Sequence, residues 1–275
     1  MRTRYSSLPP ALLLLCLSAC ASAAARTGEP LRVLVYNIHA GKDAAGTGNL
    51  DRVAEIVRSS RSDIVMLQEV DNRTRRSGGV DQLSRLRELT GFHGVFGKTI
   101  DYDGGEYGIG ILSRWPITSW RLIQLPVEIA DSAVRARYEA RGALAARIAD
   151  PSGDIRVVNT HLDASRSDSN RVQQANALIF FANAQQDSGF TILGGDLNSE
   201  PTSRVAELLA TNGWKDLYKD CGSASGFSFP ANEPVKRIDY LYIKGRVSCK
   251  SAAVLDTQAS DHRPVLFEVI RTGRE

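Results

Sequence analysis

One apolar run after another in this chain ends on short polar residues, and that pattern constrains the fold more than any other feature. "LRVLVYN" (Leu31–Asn37) alternates like a strand, and Leu50, Val53, Ala54 and Val57 then recur at helical spacing after Asn49, which is placed to cap the helix. "DIVMLQEV" (Asp63–Val70) is the next strand, so the chain opens as β-α-β. Val80, Leu83, Leu86 and Leu89 predict a second amphipathic helix, stopped by Gly91. Extended segments follow around Tyr107–Leu112 and Ile117–Leu125.

The pattern then changes. Ala140–Ala149 and Asp154–His161 flank Asp150-Pro151-Ser152-Gly153, a turn sequence, and predict an antiparallel hairpin. A helix from about Asp168 to Gln186 carries Val172, Ala175, Ile179 and Ala182 on one face. It leads into the strand "FTIL" and the polar stretch "GGDLNSEP" (Gly194–Pro201), whose glycines allow close approach of backbone and substrate. Pro201 is positioned to begin another helix over Val205, Leu208 and Leu209. "RIDYLYI" (Arg237–Ile243) and "PVLFEVI" (Pro264–Ile270) complete the strands. Early β-α units with later hairpins predict an α/β fold of two mixed sheets packed face to face with helices outside. With 275 residues, 43% hydrophobic and no low-complexity tract, residues 26–275 can bury a large core as a single domain, which excludes a disordered or fibrous protein.

Residues 1–25 have the form of an export signal. Arg2 and Arg4 make a positive start, and Ala11–Leu17 an apolar stretch too short to span a bilayer. Two cleavage patterns compete. Leu17-Ser18-Ala19-Cys20 resembles a bacterial lipobox that would leave Cys20 lipid-modified, and this is the preferred reading. Ala21-Ser22-Ala23 and Ala23-Ala24-Ala25 suit ordinary secretion. The expected location is the bacterial periplasm, the outer membrane through that anchor, or the exterior. Export leaves Cys221 and Cys249 as an even pair in an oxidising compartment, which favours a disulfide worth roughly 3 kcal/mol. The formal net charge is +3, two of it in the leader, so no broad basic footprint for nucleic acid remains. No feature calls for a protein partner, and a monomer is expected.

The polar strand ends are Asn37, Glu69, His161, Asp196 with Asn198, Asp239, and Asp261 with His262. Each alone is ordinary turn or structural chemistry. Together they are the residue types that phosphoester cleavage requires: oxygen ligands for a cation, a base for water, and donors for phosphate oxygens.

The series "VYNIHAG" (Val35–Gly41), "LQEV" (Leu67–Val70), "YGIGILSRWPI" (Tyr107–Ile117), "NTHLD" (Asn159–Asp163), "GGDLNSEP", "RIDYLY" (Arg237–Tyr242) and "SDHRP" (Ser260–Pro264) resembles the ordered motifs of the endonuclease/exonuclease/phosphatase family. The resemblance implies a four-layered α/β/β/α sandwich and metal-dependent phosphoester hydrolysis. By the same resemblance Glu69 is the leading Mg²⁺ ligand, with Asn37 and Asp261 in the shell and Mn²⁺ as a substitute. Asp196 would orient or deprotonate the attacking water and Asn198 hold it, the two sharing one side of an extended chain. His262, oriented by Asp239, would contact the scissile phosphate. His161 would be a second phosphate ligand or leaving-group acid, with Glu106 as its partner, giving two acid–histidine pairs.

Arg141, in "ARGAL", is read as a phosphate or carboxylate clamp, with an ordinary surface arginine as the alternative. The loop "DNRTRRSGGVDQ" (Asp71–Gln82) brings Arg73, Arg75 and Arg76 after Glu69, where they could grip a polyanion or form a solvated basic loop. A similar loop in a bacterial subgroup favours the site role, while Asp81 and Gln82 also suit a helix start. His39, two residues past Asn37, is a candidate to support it. Three functions compete: a phosphodiesterase on nucleic acid, the same chemistry on a phospholipid or small phosphorylated molecule, and a non-catalytic binding protein. The complete set of acids, amide and histidines opposes the last.

Overall fold

The computed structural model describes residues 30–127, 138–185 and 190–271, so the leader and its Cys20 lie outside the described residues. Among the described residues, twelve strands form two mixed sheets of six. In the first, β1 (Leu31–Asn37) pairs in parallel with β2 (Ile64–Asn72), flanked by β3 (His93–Tyr102), β4 (Gly105–Ser113), β11 (Val247–Val254) and β12 (Val265–Arg271) in the order β11-β12-β1-β2-β4-β3. In the second, β7 (Ile155–His161) pairs in parallel with β8 (Thr191–Asp196). Around them lie β5 (Ile117–Gln124), β6 (Gly142–Ile148), β9 (Lys215–Asp216) and β10 (Asp239–Lys244), in the order β5-β6-β7-β8-β10-β9.

A parallel pair requires a crossover, and each is supplied by a helix. α1 (Leu50–Ser59) joins β1 to β2, and α3 (Ser169–Asn183) lies between β7 and β8. α2 (Gln82–Thr90) packs beside α1, α4 (Arg204–Thr211) beside α3, and the short α5 (Leu217–Cys221) against β11. Alternation sorts the apolar residues by layer. Val33, Val35, Ile64 and Met66 meet Leu144, Val157, Ile192 and Leu241 between the sheets. Leu34, Val65 and Leu67 face Val53, Val57 and Leu86, while Val158 and Leu193 face Ala175, Ile179 and Leu209. The result is the α/β/β/α sandwich that the resemblance implied.

The local expectations fare unevenly. Gly91 ends α2 in the left-handed conformation (φ 74°), and the 150–153 turn joins β6 to β7. Asn49 occupies the cap position of α1, but its Nδ2 donates to Ala259 O instead of its side chain accepting from the helix. Pro201 lies in a turn ahead of α4, whose cap is Ser203, accepting from Ala206 N at 3.3 Å. β3, β9, α5 and β11 were not expected. β3 and β11 are edge strands without clear hydrophobic alternation, and β9 has only two residues. Cys221 and Cys249 are joined in a disulfide that ties α5 to β11, with Cα atoms 5.8 Å apart.

In open α/β sheets, ligands meet the carboxyl ends of parallel strands. Here both parallel pairs end on the same rim, carrying Asn37, Glu69, His161 and Asp196, with buried polar contacts joining the sheets beneath. Asn159 on β7 donates from Nδ2 to Leu67 O and Gly110 O, both at 2.8 Å, while its Oδ1 accepts from Gln68 Nε2 at 2.7 Å.

Candidate active site

Three adjacent strands set the site's main line. In the ladder, Asp196 at the end of β8 is level with His161 on parallel β7 and with Asp239 at the start of antiparallel β10. Gly194 and Gly195 permit this close pairing: a Cβ on Gly195 (φ +130°) would collide with Thr160 O, and one on Gly194 with Tyr240 O. The glycines therefore serve strand–strand approach; the expectation that they admit substrate is not what this geometry requires.

Asp196 is the hub, 1% exposed. Its Oδ2 accepts from Asn37 Nδ2 at 3.1 Å and lies 3.5 Å from His161 Nε2 and 3.6 Å from His262 Nε2. Its Oδ1 accepts from Asn198 N at 2.9 Å. Asn198 is not in extended chain as expected. It is left-handed (φ 46°), a conformation asparagine tolerates, and the Asp196 bond folds it back so that both side chains still face the site. Its Nδ2 donates to Leu162 O at 3.0 Å and lies 3.1 Å from His161 Nε2. Burial raises the carboxyl pKa of Asp196 to about 7, against the lowering influence of His262.

His262 and Asp239 pair as expected, Nδ1 to Oδ2 at 2.9 Å, and Ser228 Oγ also donates to that oxygen. Burial alone would lower the His262 pKa, but the Asp239 and Asp196 charges outweigh it and lift it to about 10. The ring is a cation at neutral pH. Phe229 covers it at 4.7 Å between ring centroids.

His161 differs from its expected form. Glu106 is not its partner: it accepts from Asn72 Nδ2 at 2.8 Å and pairs with Lys98 at 3.3 Å, on the β3–β4 side. His161 Nδ1 meets Arg141 Nη1 at 2.8 Å, and the same guanidinium nitrogen lies 2.6 Å from Glu139 Oε1. Arginine can only donate, so Nδ1 accepts and the neutral ring carries its proton on Nε2, toward Asp196; the Asn198 Nδ2 approach to Nε2 is then donor to donor and no hydrogen bond, Asn198 donating instead to Leu162 O. Burial, then Arg141, then His262 hold its pKa well below 6.5. The site thus has one acid–histidine pair and one arginine–histidine pair.

Glu69 sits in a β-bulge between Leu67 and Val70 with φ 57°, which turns it out of the strand alternation toward the rim. Asn37 Nδ2 bonds its Oε1 at 3.0 Å, and His39 N donates to Asn37 Oδ1 at 3.1 Å. His39 Nδ1 is 3.9 Å from Asp261, which places it in support of that acid. Ser260 Oγ donates to Asn37 O at 2.8 Å and ties the Asp261 loop to β1. Burial and the nearby Asp261 raise the Glu69 pKa, Asn37 opposing them. Two acids whose charges oppose each other suit a hard divalent cation; beside them Asn37 turns its Nδ2 toward Glu69, and its Oδ1, which accepts from His39 N, keeps one lone pair for such an ion. Asp196, Asp239 and His262 also lie close enough to hold a metal; the His262 Nδ1 bond to Asp239 leaves Nε2, 3.6 Å from Asp196 Oδ2, as its ligand atom.

The arginine loop is mostly internal structure. Arg76 makes a two-pronged bond to fully buried Asp71 (2.8 and 2.7 Å), and Arg75 pairs with Asp103 at 3.0 Å; of the loop's three arginines, Arg73 is the one exposed without an ion pair to a described residue. A free three-arginine grip on a polyanion is therefore not present. Asp81 caps α2 through Ser84 N, and Gln82 accepts from Asp71 N and donates to Ala40 O, holding the loops after β1 and β2 together. Gln68, Asn159, Ser228, Ser260 and Glu139 were not singled out from sequence. Gln68, Asn159 and Ser260 lie in "LQEV", "NTHLD" and "SDHRP", which was the available signal; Ser228 and Glu139 lie outside the motifs.

Residues 34–262 match the model of the endonuclease/exonuclease/phosphatase family. The chain belongs to that family. The chain is similar to YbhP of Escherichia coli K12, 26% identical over 251 residues, covering 86% of this chain and 95% of YbhP. The family fold is shared with an endonuclease/exonuclease/phosphatase from Beutenbergia cavernae at a TM-score of 0.74, 22% identity, and 89% and 72% of the two chains. Mannosyl-6-phosphatase of Bacteroides thetaiotaomicron aligns at 0.73, 21% identity, and 87% and 99% of the two chains. The human nocturnin catalytic domain aligns at 0.68, 20% identity, and 88% and 95%.

Proposed function

We propose that this family member is a Mg²⁺-dependent phosphoester hydrolase, with Mn²⁺ as a substitute, acting by in-line attack of water on phosphate. The observation carrying this reading is the convergence on one rim of a paired base, a cationic histidine, a neutral donor histidine and an acid pair. Asp196 orients the water and takes its proton. His262, fixed by Asp239, places a charged Nε2–H against an anionic phosphate oxygen. His161, fixed by Arg141, offers an uncharged Nε2–H, so it acts as a phosphate donor and not as the leaving-group acid. Asn198 holds the position between them.

Glu69, Asp261 and Asn37 are the residues that would hold the cation, which when bound neutralises phosphate charge as a Lewis acid. Chelation should abolish turnover, and Glu69→Gln should raise the half-saturating Mg²⁺ concentration at least about tenfold. A metal titration of initial rates measures both; unchanged half-saturation in the variant would remove Glu69 from the metal site.

The substrate class spans nucleic acid, phospholipids and small phosphorylated molecules. Neighbours named as a mannosyl-6-phosphatase and nocturnin support phosphoester chemistry without choosing among these. Plasmid and single-stranded DNA, RNA, sphingomyelin, phosphoinositides, sugar phosphates and bis-p-nitrophenyl phosphate, each assayed with Mg²⁺, separate them. Absence of metal-dependent cleavage across the panel would favour the non-catalytic alternative. Export, with anchoring through Cys20, remains part of the proposal, and mass spectrometry of the mature N-terminus distinguishes diacylated Cys20 from simple secretion.

A further inference from the structure

Two clefts flank the rim, and their charges differ. One, about 520 Å³, is lined by Asn198 and His262 together with Arg166, Arg171 and Lys236. Arg166 and Lys236 have no ion pair among the described residues, while Arg171 donates to the carbonyls of Asp163 and Ser165. The other, about 600 Å³, opens beside Glu69 and is walled by Arg76, Tyr102, Tyr107, Tyr138 and Glu139. Both volumes are in the range of small-molecule sites.

In the second cleft nearly every charge is already answered. Arg76 is held by Asp71, Glu139 lies against Arg141, and Asp101 at the margin pairs with Lys98 at 2.7 Å. What remains on the aromatic wall is a small set of hydrogen-bonding atoms, since the Tyr107 phenol is engaged with Glu139 and the Tyr138 hydroxyl with Gln174 and Asp163. The Arg76 guanidinium lies 4.5 Å from the Tyr102 ring centroid and 5.3 Å from that of Tyr107, and the two rings stand 6.1 Å apart. The Asp71 pair uses Nε and Nη2 of Arg76, leaving Nη1 as a donor. Burial, with Glu69 and Glu139 nearby, holds the Tyr107 phenol well above its usual pKa, so it keeps its proton. Tyr102 is 42% exposed and offers a ring face and a hydroxyl at the mouth.

We propose that this cleft binds the non-phosphate part of the substrate and that its ligand is a neutral, hydroxyl-rich ring, a sugar or cyclitol carrying the phosphate. The inference rests on the phosphoester-hydrolase reading and gives it a substrate class. The Tyr102 phenol, the Arg76 Nη1 and the outer carboxylate oxygens match alternating hydroxyl donors and acceptors, and tyrosine faces match the C–H patches of such a ring. The flanking phosphates of a polynucleotide would instead meet Glu69, Glu139 and Asp101 there, with no unpaired cation among the lining residues.

The test has a binding arm and a kinetic arm, both on the purified protein. In saturation-transfer NMR, methyl α-D-glucoside and myo-inositol should receive magnetisation from the wild type, with at least a tenfold loss of affinity in Tyr102→Ala. With glucose 6-phosphate or myo-inositol 1-phosphate, that variant should raise KM at least tenfold and leave kcat within twofold, while ethyl phosphate, which lacks a ring, is turned over as by wild type. Transfer to adenosine in place of the polyols, or an unchanged KM, overturns the proposal. Polyol binding that depends on Tyr102 without turnover of any phosphoester would sink the hydrolase reading and keep the site. Turnover without polyol binding would do the reverse.

Discussion

Asp196→Asn should lower metal-dependent phosphoester turnover by roughly 10²- to 10⁴-fold, the usual contribution of a positioned general base. The change keeps shape and removes proton affinity. Asp196 Oδ2 is the atom on which Asn37, His161 and His262 converge, so no other carboxylate oxygen can take over its geometry. His262→Ala should fall by a comparable factor, because it removes the cation that faces phosphate. Neither loss need come from unfolding. The folded pKa of Asp196, about 7, lies above its ordinary 3.8, so the fold favours the protonated form. An ionised Asp196 therefore costs stability above pH 7, and that cost fades as pH falls from 7 toward 3.8. At pH 8 in chelator, Asp196→Asn should melt at or above the wild-type temperature while its kcat with Mg²⁺ collapses. Wild-type turnover in both variants would end the mechanism.

Much of this site could be read because catalytic residues sit where apolar periodicity stops. Asn37, His161 and Asp196 each end a strand, and the β-α-β opening with the 150–153 turn already places them on a common rim. Glu69 departs from that logic: β2 continues to Asn72, and a bulge turns the side chain outward. Periodicity cannot announce a bulge in advance. The edge strands β3 and β11 escaped for a related reason, since their exposed positions weaken the alternation that marks a strand.

Partner identity was the least legible property. Glu106 and Arg141 are both polar residues near apolar strands, and either could complete a histidine on chemical grounds. The choice is made by sheet order. Arg141 immediately precedes β6, the antiparallel neighbour of β7, whereas Glu106 is on β4 in the other sheet. The arginine loop was misjudged similarly: its charges look available in sequence because Asp71 and Asp103, which absorb them, differ from ordinary surface acids only in three dimensions.

That exchange of partners leads to the second large effect. Arg141→Met should lower turnover by roughly 10²- to 10⁴-fold, since loss of the correct tautomer and ring orientation can by itself cost a catalytic histidine about 10⁴. In the wild type Arg141 donates to Nδ1, and the only proton of the ring sits on Nε2. Without Arg141, either tautomer becomes available and a proton can enter Nδ1. Burial remains the first cause of the depressed His161 pKa, but the second, the arginine charge, is gone, so the titration moves upward toward 6.5. The sign is specific. A histidine held neutral in the fold costs stability as pH drops below 6.5, because the unfolded chain binds a proton that the folded chain refuses. That acid-side loss should be smaller in Arg141→Met than in wild type. Imidazole ¹⁵N shifts should report an Nε2–H ring in the wild type that stays neutral below pH 6.5, and a ring that protonates at higher pH in the variant. Arg141→Lys should restore part of the charge effect without the planar geometry, giving a titration closer to wild type but turnover still depressed. If His161 in Arg141→Met kept the wild-type tautomer and titration, Arg141 would be packing beside the ring and not setting its chemistry.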